Sequence, residues 1–125
     1  MNAKATVLLV VTALAFTAPA ALAHHGTARF DMTHIVILQG TVTGFEWINP
    51  HPVVHASVKN EQGKVESWAL ECGSPLMLVR FGWTKTSVKA GDQVKIFGFR
   101  AKDGTPYMHL ERIELPNGKA LAGFP

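Results

Sequence analysis

Two hydrophobic regimes divide the chain. Residues 5–16 are apolar almost without interruption, whereas beyond Ile35 apolar and polar residues mostly alternate. An unbroken apolar run near the amino end suits the core of an export signal, and alternation suits strands with one buried face. Ile35–Trp47 reads as one long strand. Val36, Leu38, Gly40, Val42 and Gly44 share one face, and Thr41, Thr43, Phe45 and Trp47 share the other. Glycines at 40 and 44 let such a strand bend or bulge. Val53–Lys59 is a second strand with Val54, Ala56 and Val58 inward, and Asn60–Gly63 is a hairpin loop. Val65–Cys72 is a third strand with Trp68 and Leu70 toward the core. Ser74 as N-cap, Pro75 at the first helical position and Gly82 as a stop frame one short helix, Pro75–Phe81. Ala90-Gly91-Asp92 turns the chain into a fourth strand, Gln93–Ala101. Lys102–Pro106 is a further turn, Tyr107–Leu115 a fifth strand, and Pro116–Lys119 leads into a short tail.

The order strand-strand-strand-helix-strand-strand, with a long bent first strand, predicts a mainly β protein. The expected architecture is a five-stranded OB-like Greek-key barrel with its helix between strands 3 and 4. A bent first strand can pair in both halves of such a barrel and removes most free edges. An open meander packed on the helix is the alternative.

The amino end sets the expected compartment. Lys4 supplies a positive n-region, Pro19 breaks any helix, and Ala21-Leu22-Ala23 fits the small-x-small site of signal peptidase. A cut after Ala23 removes 23 of 125 residues and leaves 102, a single domain. The segment is long enough to be weighed as a retained membrane anchor, but Pro19 and the cleavage site favour a signal peptide. The expected product is residues 24–125, one small β-barrel with an amino-terminal arm at 24–34, in a periplasm or the extracellular space, off the membrane after cleavage. Of the 12 basic residues Lys4 leaves with the signal, so 11 face 9 acidic ones. With no basic run, nucleic acid is not an expected partner. Cys72 is the only cysteine, which excludes an intramolecular disulfide and a cysteine-based zinc motif. A buried, inert thiol is the favoured reading.

Several short motifs stand in a characteristic order. They are His24-His25, Phe30-Asp31, Leu38-x-Gly40-x-Val42, Trp47-x-Asn49-Pro50-His51, Trp68, Gly73-Ser74-Pro75, Gly82-Trp83 and Gly91-Asp92. Together they make the mature chain resemble DUF6152, a bacterial domain family of unknown function. The resemblance implies a small exported β protein and no activity; His55 and Cys72 lie outside the shared motifs.

Three sets of residues could carry chemistry. The first is metal ligation, and the metal these ligands favour is copper. Cleavage before His24 would give that residue a free α-amino group beside its imidazole, and the two nitrogens can close one chelate ring, similar to the histidine brace of exported copper proteins. His25 adds a second route through amine, amide and imidazole. Nitrogen donors in tetragonal geometry favour Cu(II). A third nitrogen could come from His51, His34 or His109, with His51 preferred because the Asn49-Pro50 turn would fix its direction. His51 and His55, four residues apart on a strand, are roughly 13 Å apart. Metal–nitrogen bonds of about 2 Å forbid a shared ion. The alternative for all of them is ordinary surface or turn histidine. The second set is aromatic: Trp47, Phe45, Phe97 and Phe99 alternate with core residues, and an outward aromatic face would suit a non-catalytic module that binds a ligand or a partner. The third is Glu71, as ligand, base or, most simply, a cap on the following helix. No nucleophile elbow, carboxylate pair or phosphate loop is present, so nothing makes a positive case for an enzyme.

Overall fold

The computed structural model describes residues 26–124. The expected signal segment and the His24-His25 pair lie outside the described residues. Six strands and one helix follow in order: β1 Phe30–Glu46, β2 Val53–Lys59, β3 Val65–Glu71, α1 Pro75–Arg80, β4 Gln93–Ala101, β5 Tyr107–Glu114 and β6 Ala120–Ala122. The sheet runs β3-β2-β1-β4-β5-β6, and β3 also pairs with β5. That last pairing is parallel and the others are antiparallel. Five strands therefore close on themselves as the expected OB-like barrel, and the open meander is excluded. The short β6 is added outside the closed ring, on β5.

The bend in β1 comes from a bulge. Val42 faces Ala56 and Gly44 faces His55, so Thr43 has no opposite number. An extra residue reverses which side chains point inward. Before the bulge Val36, Leu38 and Val42 face the core; after it Phe45 and Trp47 do. The expectation that Phe45 and Trp47 share the outward face is therefore corrected. Phe45 lies edge-on to Trp47, with ring centroids 5.7 Å apart, and packs on Trp83 at 5.6 Å. Gly40 is needed for a different reason: a Cβ there would meet the Ser57 carbonyl oxygen at 2.7 Å. The strand also starts at Phe30, not Ile35, because Phe30 pairs with Ala101 of β4 and is buried. Part of the expected arm is thus already sheet.

Leu70, Leu78, Ile96, Met108, Leu110 and Ile113 fill the barrel with no exposed surface. Burying each such side chain contributes about 1.5–3 kcal/mol. The helix is too short to stand alone. Ser74 caps it by accepting from the Met77 N–H at 3.3 Å, and Leu78 is its one buried residue. Trp83 plugs the space beneath it and donates from Nε1 to the Ala122 carbonyl at 2.7 Å, which ties the helical connection to β6.

Gly98 sits where β4 and β5 approach most closely. A Cβ there would overlap the His109 carbonyl oxygen and the Met108 side chain. We predict that Gly98→Ala lowers unfolding free energy by about 1–3 kcal/mol, the range for overpacked cores. Gly44→Ala, whose Cβ would meet nothing within 4 Å, should change it by less than about 0.5 kcal/mol. Urea unfolding of both variants checks this, and equal effects would contradict the close approach assigned to Gly98.

Candidate functional site

The polar side chains worth attention gather on the outside of the barrel, where β3 and β5 close it. Along β5, Met108 and Leu110 point into the core while Tyr107 and His109 point out. The parallel register sets Ala69 beside Tyr107 and Glu71 beside His109. An outward carboxylate, phenol and imidazole thus share one patch.

Both ends of the described chain roof this patch. Phe30 stacks on Tyr107, with centroids 5.8 Å apart, and leans on His109 at 5.4 Å. Phe124 lies nearly flat on His109, with centroids 3.7 Å apart and planes 18° from parallel. The tail is brought there by two backbone bonds, Gly73 N–H to the Gly123 carbonyl at 2.8 Å and Gly123 N–H to the Glu111 carbonyl at 2.9 Å. Arg29 lies 4.3 Å over the Tyr107 ring. Under this roof His109 is only 4% exposed and Glu71 8%.

Burial has electrostatic consequences. Glu71 accepts a hydrogen bond from the Tyr107 hydroxyl, and burial together with that bond pushes the phenol up to about 12. Glu71 does not cap the helix as expected; Ser74 does, and no acidic residue stands in the first turn. Burial lowers the His109 pKa, and His51 adds to the effect against the raising pull of Glu71 and Glu111. The His109 Nδ1 is buried without a hydrogen-bond partner.

His51 stands beside the tail, its ring 5.8 Å from that of Phe124. It follows the cis Asn49–Pro50 peptide. Its Nδ1 lies 2.9 Å from the Cys72 carbonyl oxygen. A carbonyl only accepts, so the ring proton sits on Nδ1 and Nε2 carries the lone pair. A backbone carbonyl on one ring nitrogen is the usual second partner of a metal-binding histidine.

Phe124 thus bridges His51 and His109. The other histidines are elsewhere. His34 is exposed and turns to Asp31 and Thr33, at 3.3 and 2.7 Å. His55 pairs with Glu46 at 2.7 Å. Among the described residues no three His, Cys, Asp or Glu side chains are arranged to hold a metal ion. Of the aromatic candidates, Phe45 and Trp47 pack against the core. Phe97 and Phe99 remain outward, opposite Ile37 and Ile35. Arg112 covers the Phe97 ring at 3.9 Å.

Some of this patch had a signal in the sequence: Tyr107 and His109 alternate with core residues. Phe124 had none, because its place depends on β6 pairing, and a three-residue strand carries no legible period.

A family model matches residues 11–108. The chain belongs to DUF6152, a family of unknown function. The matched span includes His24, His25, His51 and Glu71 and stops one residue short of His109. Searches of curated proteins and of solved structures returned no significant match. No helix among the described residues is long and apolar enough to cross a membrane.

Cys72 lies at the base of the patch with no exposed surface, and burial pushes its thiol up to about 12. An unfolded thiol titrates near 8.5. Between these values the unfolded chain loses a proton that the folded chain keeps, so stability should fall as pH rises from about 9 toward 12, by up to ~1.4 kcal/mol per pH unit. We predict that Cys72→Ala makes this fall shallower in urea titrations run with a chelator. Equal slopes for the two proteins would contradict the burial argument. The folded thiol should also resist disulfide reagents at pH 8 until the protein unfolds.

Proposed function

We propose that the protein is an exported copper-binding protein whose site is completed by its own mature amino terminus. His24 supplies its α-amino and imidazole nitrogens, and His51 supplies Nε2 as the third. The observation that carries this reading is the Nδ1–Cys72 bond, which fixes the His51 tautomer with the ligating lone pair on Nε2. Phe30 also stands close to His51: the ring-to-ring steps from Phe30 to His109, to Phe124 and to His51 are 5.4, 3.7 and 5.8 Å. Residues 26–29 form a turn that closes onto Phe30, whose N–H donates to the Thr27 carbonyl at 3.0 Å.

The other nitrogens take lesser places. His25 offers an amide-and-imidazole route at the same terminus. His109 is close, but Phe30 and Phe124 cover it. His34 belongs to a separate surface cluster. Nitrogen donors and the divalent affinity order favour Cu(II) over zinc. An α-amino group titrating near 7.7–8.0 must lose its proton on binding, so affinity should rise between about pH 6 and 8.

Cu(II) titration of the chain starting at His24 should show one tight equivalent. His51→Ala should weaken it at least tenfold, with His34→Ala and His55→Ala unchanged. Acetylating the α-amino group of His24 should abolish the tight site. Equal binding by the acetylated chain would sink the proposal.

A non-catalytic ligand- or partner-binding module is the second reading. It is favoured by the outward stripe of Ile35, Ile37, Phe97 and Phe99, in which both isoleucines are more than half exposed. An Ile37→Lys, Phe97→Ala variant separates the two readings. It should keep Cu(II) binding if copper is the ligand of interest and lose any partner held by the stripe.

A further inference from the structure

A hollow lies away from the chain ends, at the mouth of the barrel. β1 parts from β2 at the Gly40–Val58 pair, so residues 36–39 have only β4 beside them. The β2–β3 hairpin continues past that point and leaves a hollow of about 580 Å³. Val36, Leu38, Val58 and Trp68 form its apolar lining, and Lys59 and Arg100 stand at its wall. Val36 and Leu38 face inward yet are only half-buried, so the core is left uncovered here.

Arg100 is the unexpected member. Val94, Ile96 and Gly98 are the inward positions of β4, and Arg100 continues the same alternation into the mouth. Its guanidinium lies 5.1 Å over the Trp68 ring. One Nη2–H bond goes to the Gly104 carbonyl at 2.7 Å, while Nε is buried with no partner. The nearby Glu66 is already engaged: its two oxygens accept from Asn60 Nδ2 at 3.1 Å and Trp68 Nε1 at 3.2 Å. Asp31 accepts from Thr33 and turns to His34. Glu61 lies on the exposed hairpin. Among the described residues Arg100 forms no ion pair. An inward guanidinium with an unsatisfied N–H is costly unless something else supplies the acceptor.

We propose that this mouth binds a small organic anion, a carboxylate or sulfonate head on a compact apolar body. The head accepts from the Arg100 fork, and the body lies against Val36, Leu38 and Trp68. The volume falls within the range of small-molecule sites, and apolar side chains beside a guanidinium can take an apolar body and an anionic head together. Arg is suited to planar, two-oxygen recognition. A second hollow of about 480 Å³ shares Val36 and Arg100 and adds Asp31, His34 and Lys102, so the guanidinium is reached from two sides.

The test uses two probes of nearly the same shape, 1-anilinonaphthalene-8-sulfonate and the uncharged N-phenyl-1-naphthylamine, with EDTA present to remove metal. The sulfonate should bind saturably at one equivalent, at least tenfold tighter than the neutral probe. Benzoate should displace it. Arg100→Gln should weaken it at least tenfold, and Leu76→Ser on the exposed face of α1 should leave it unchanged. If Arg100→Gln fails to fold, the wild-type chain still decides the matter by NMR, where the Trp68 indole N–H should shift on adding sulfonate or benzoate and that of Trp83 should not. Equal affinity for the two probes, loss in Leu76→Ser, an unaffected Arg100→Gln or a still Trp68 signal would each overturn the proposal.

Discussion

The parallel pairing of β3 with β5 decides what this chain can do. Every other strand contact is antiparallel and would form in an open sheet; this one turns the sheet into a barrel. It spans three residue pairs, and its register puts Glu71 beside His109 and Ala69 beside Tyr107. A carboxylate, a phenol and an imidazole are thereby crowded onto an outer face. Left open, such a face would be ordinary wet surface. Phe30 and Phe124 cover it, and that cover turns surface polarity into buried polarity.

Buried polar groups need partners. Glu71 and Tyr107 satisfy each other, whereas the His109 Nδ1 has none. The roof is also made of the two chain ends, which rarely serve as lids unless something ties them down. Here β6 and the Gly73–Gly123 bond hold one end, and the Phe30–Ala101 pair holds the other. Anchoring Phe30 at this spot sets where the preceding residues emerge. The metal site proposed for a mature amino terminus draws on that placement and on His51, which the Cys72 carbonyl orients. The barrel mouth is separate: there the uncovered core and an inward arginine meet, and neither depends on the chain ends.

Much of the architecture was legible because strand alternation and turn chemistry agree along the chain. The limits of β2 and β4 fall where the alternating residues begin and end. The Ser74-Pro75 start of the helix is read from capping chemistry alone. Glycines at 40 and 44 marked a bend or bulge, but its position at Thr43 was not legible, because that is set by the partner strand, and it reversed the facing of Phe45 and Trp47. The role of Glu71 was hidden for a similar reason, since its partner Tyr107 lies 36 residues away. Of the candidate histidines, spacing excluded a shared ion for His51 and His55, which the structure places in different hydrogen-bonded pairs. Arg100 carried no signal beyond its parity in the strand, because an inward charge at a barrel mouth reads like any strand-end arginine.

The most direct measurement of the central claim is paramagnetic. Cu(II) broadens NMR signals near it, so one equivalent added to the protein that begins at His24 reports where the terminus lies. The account predicts that the His51 ring and the Phe124 ring broaden together with residues 24–26, while His34 and His55 stay sharp. Broadening confined to the first few residues, with His51 and Phe124 unchanged, would show a terminus that chelates copper without ever meeting the barrel.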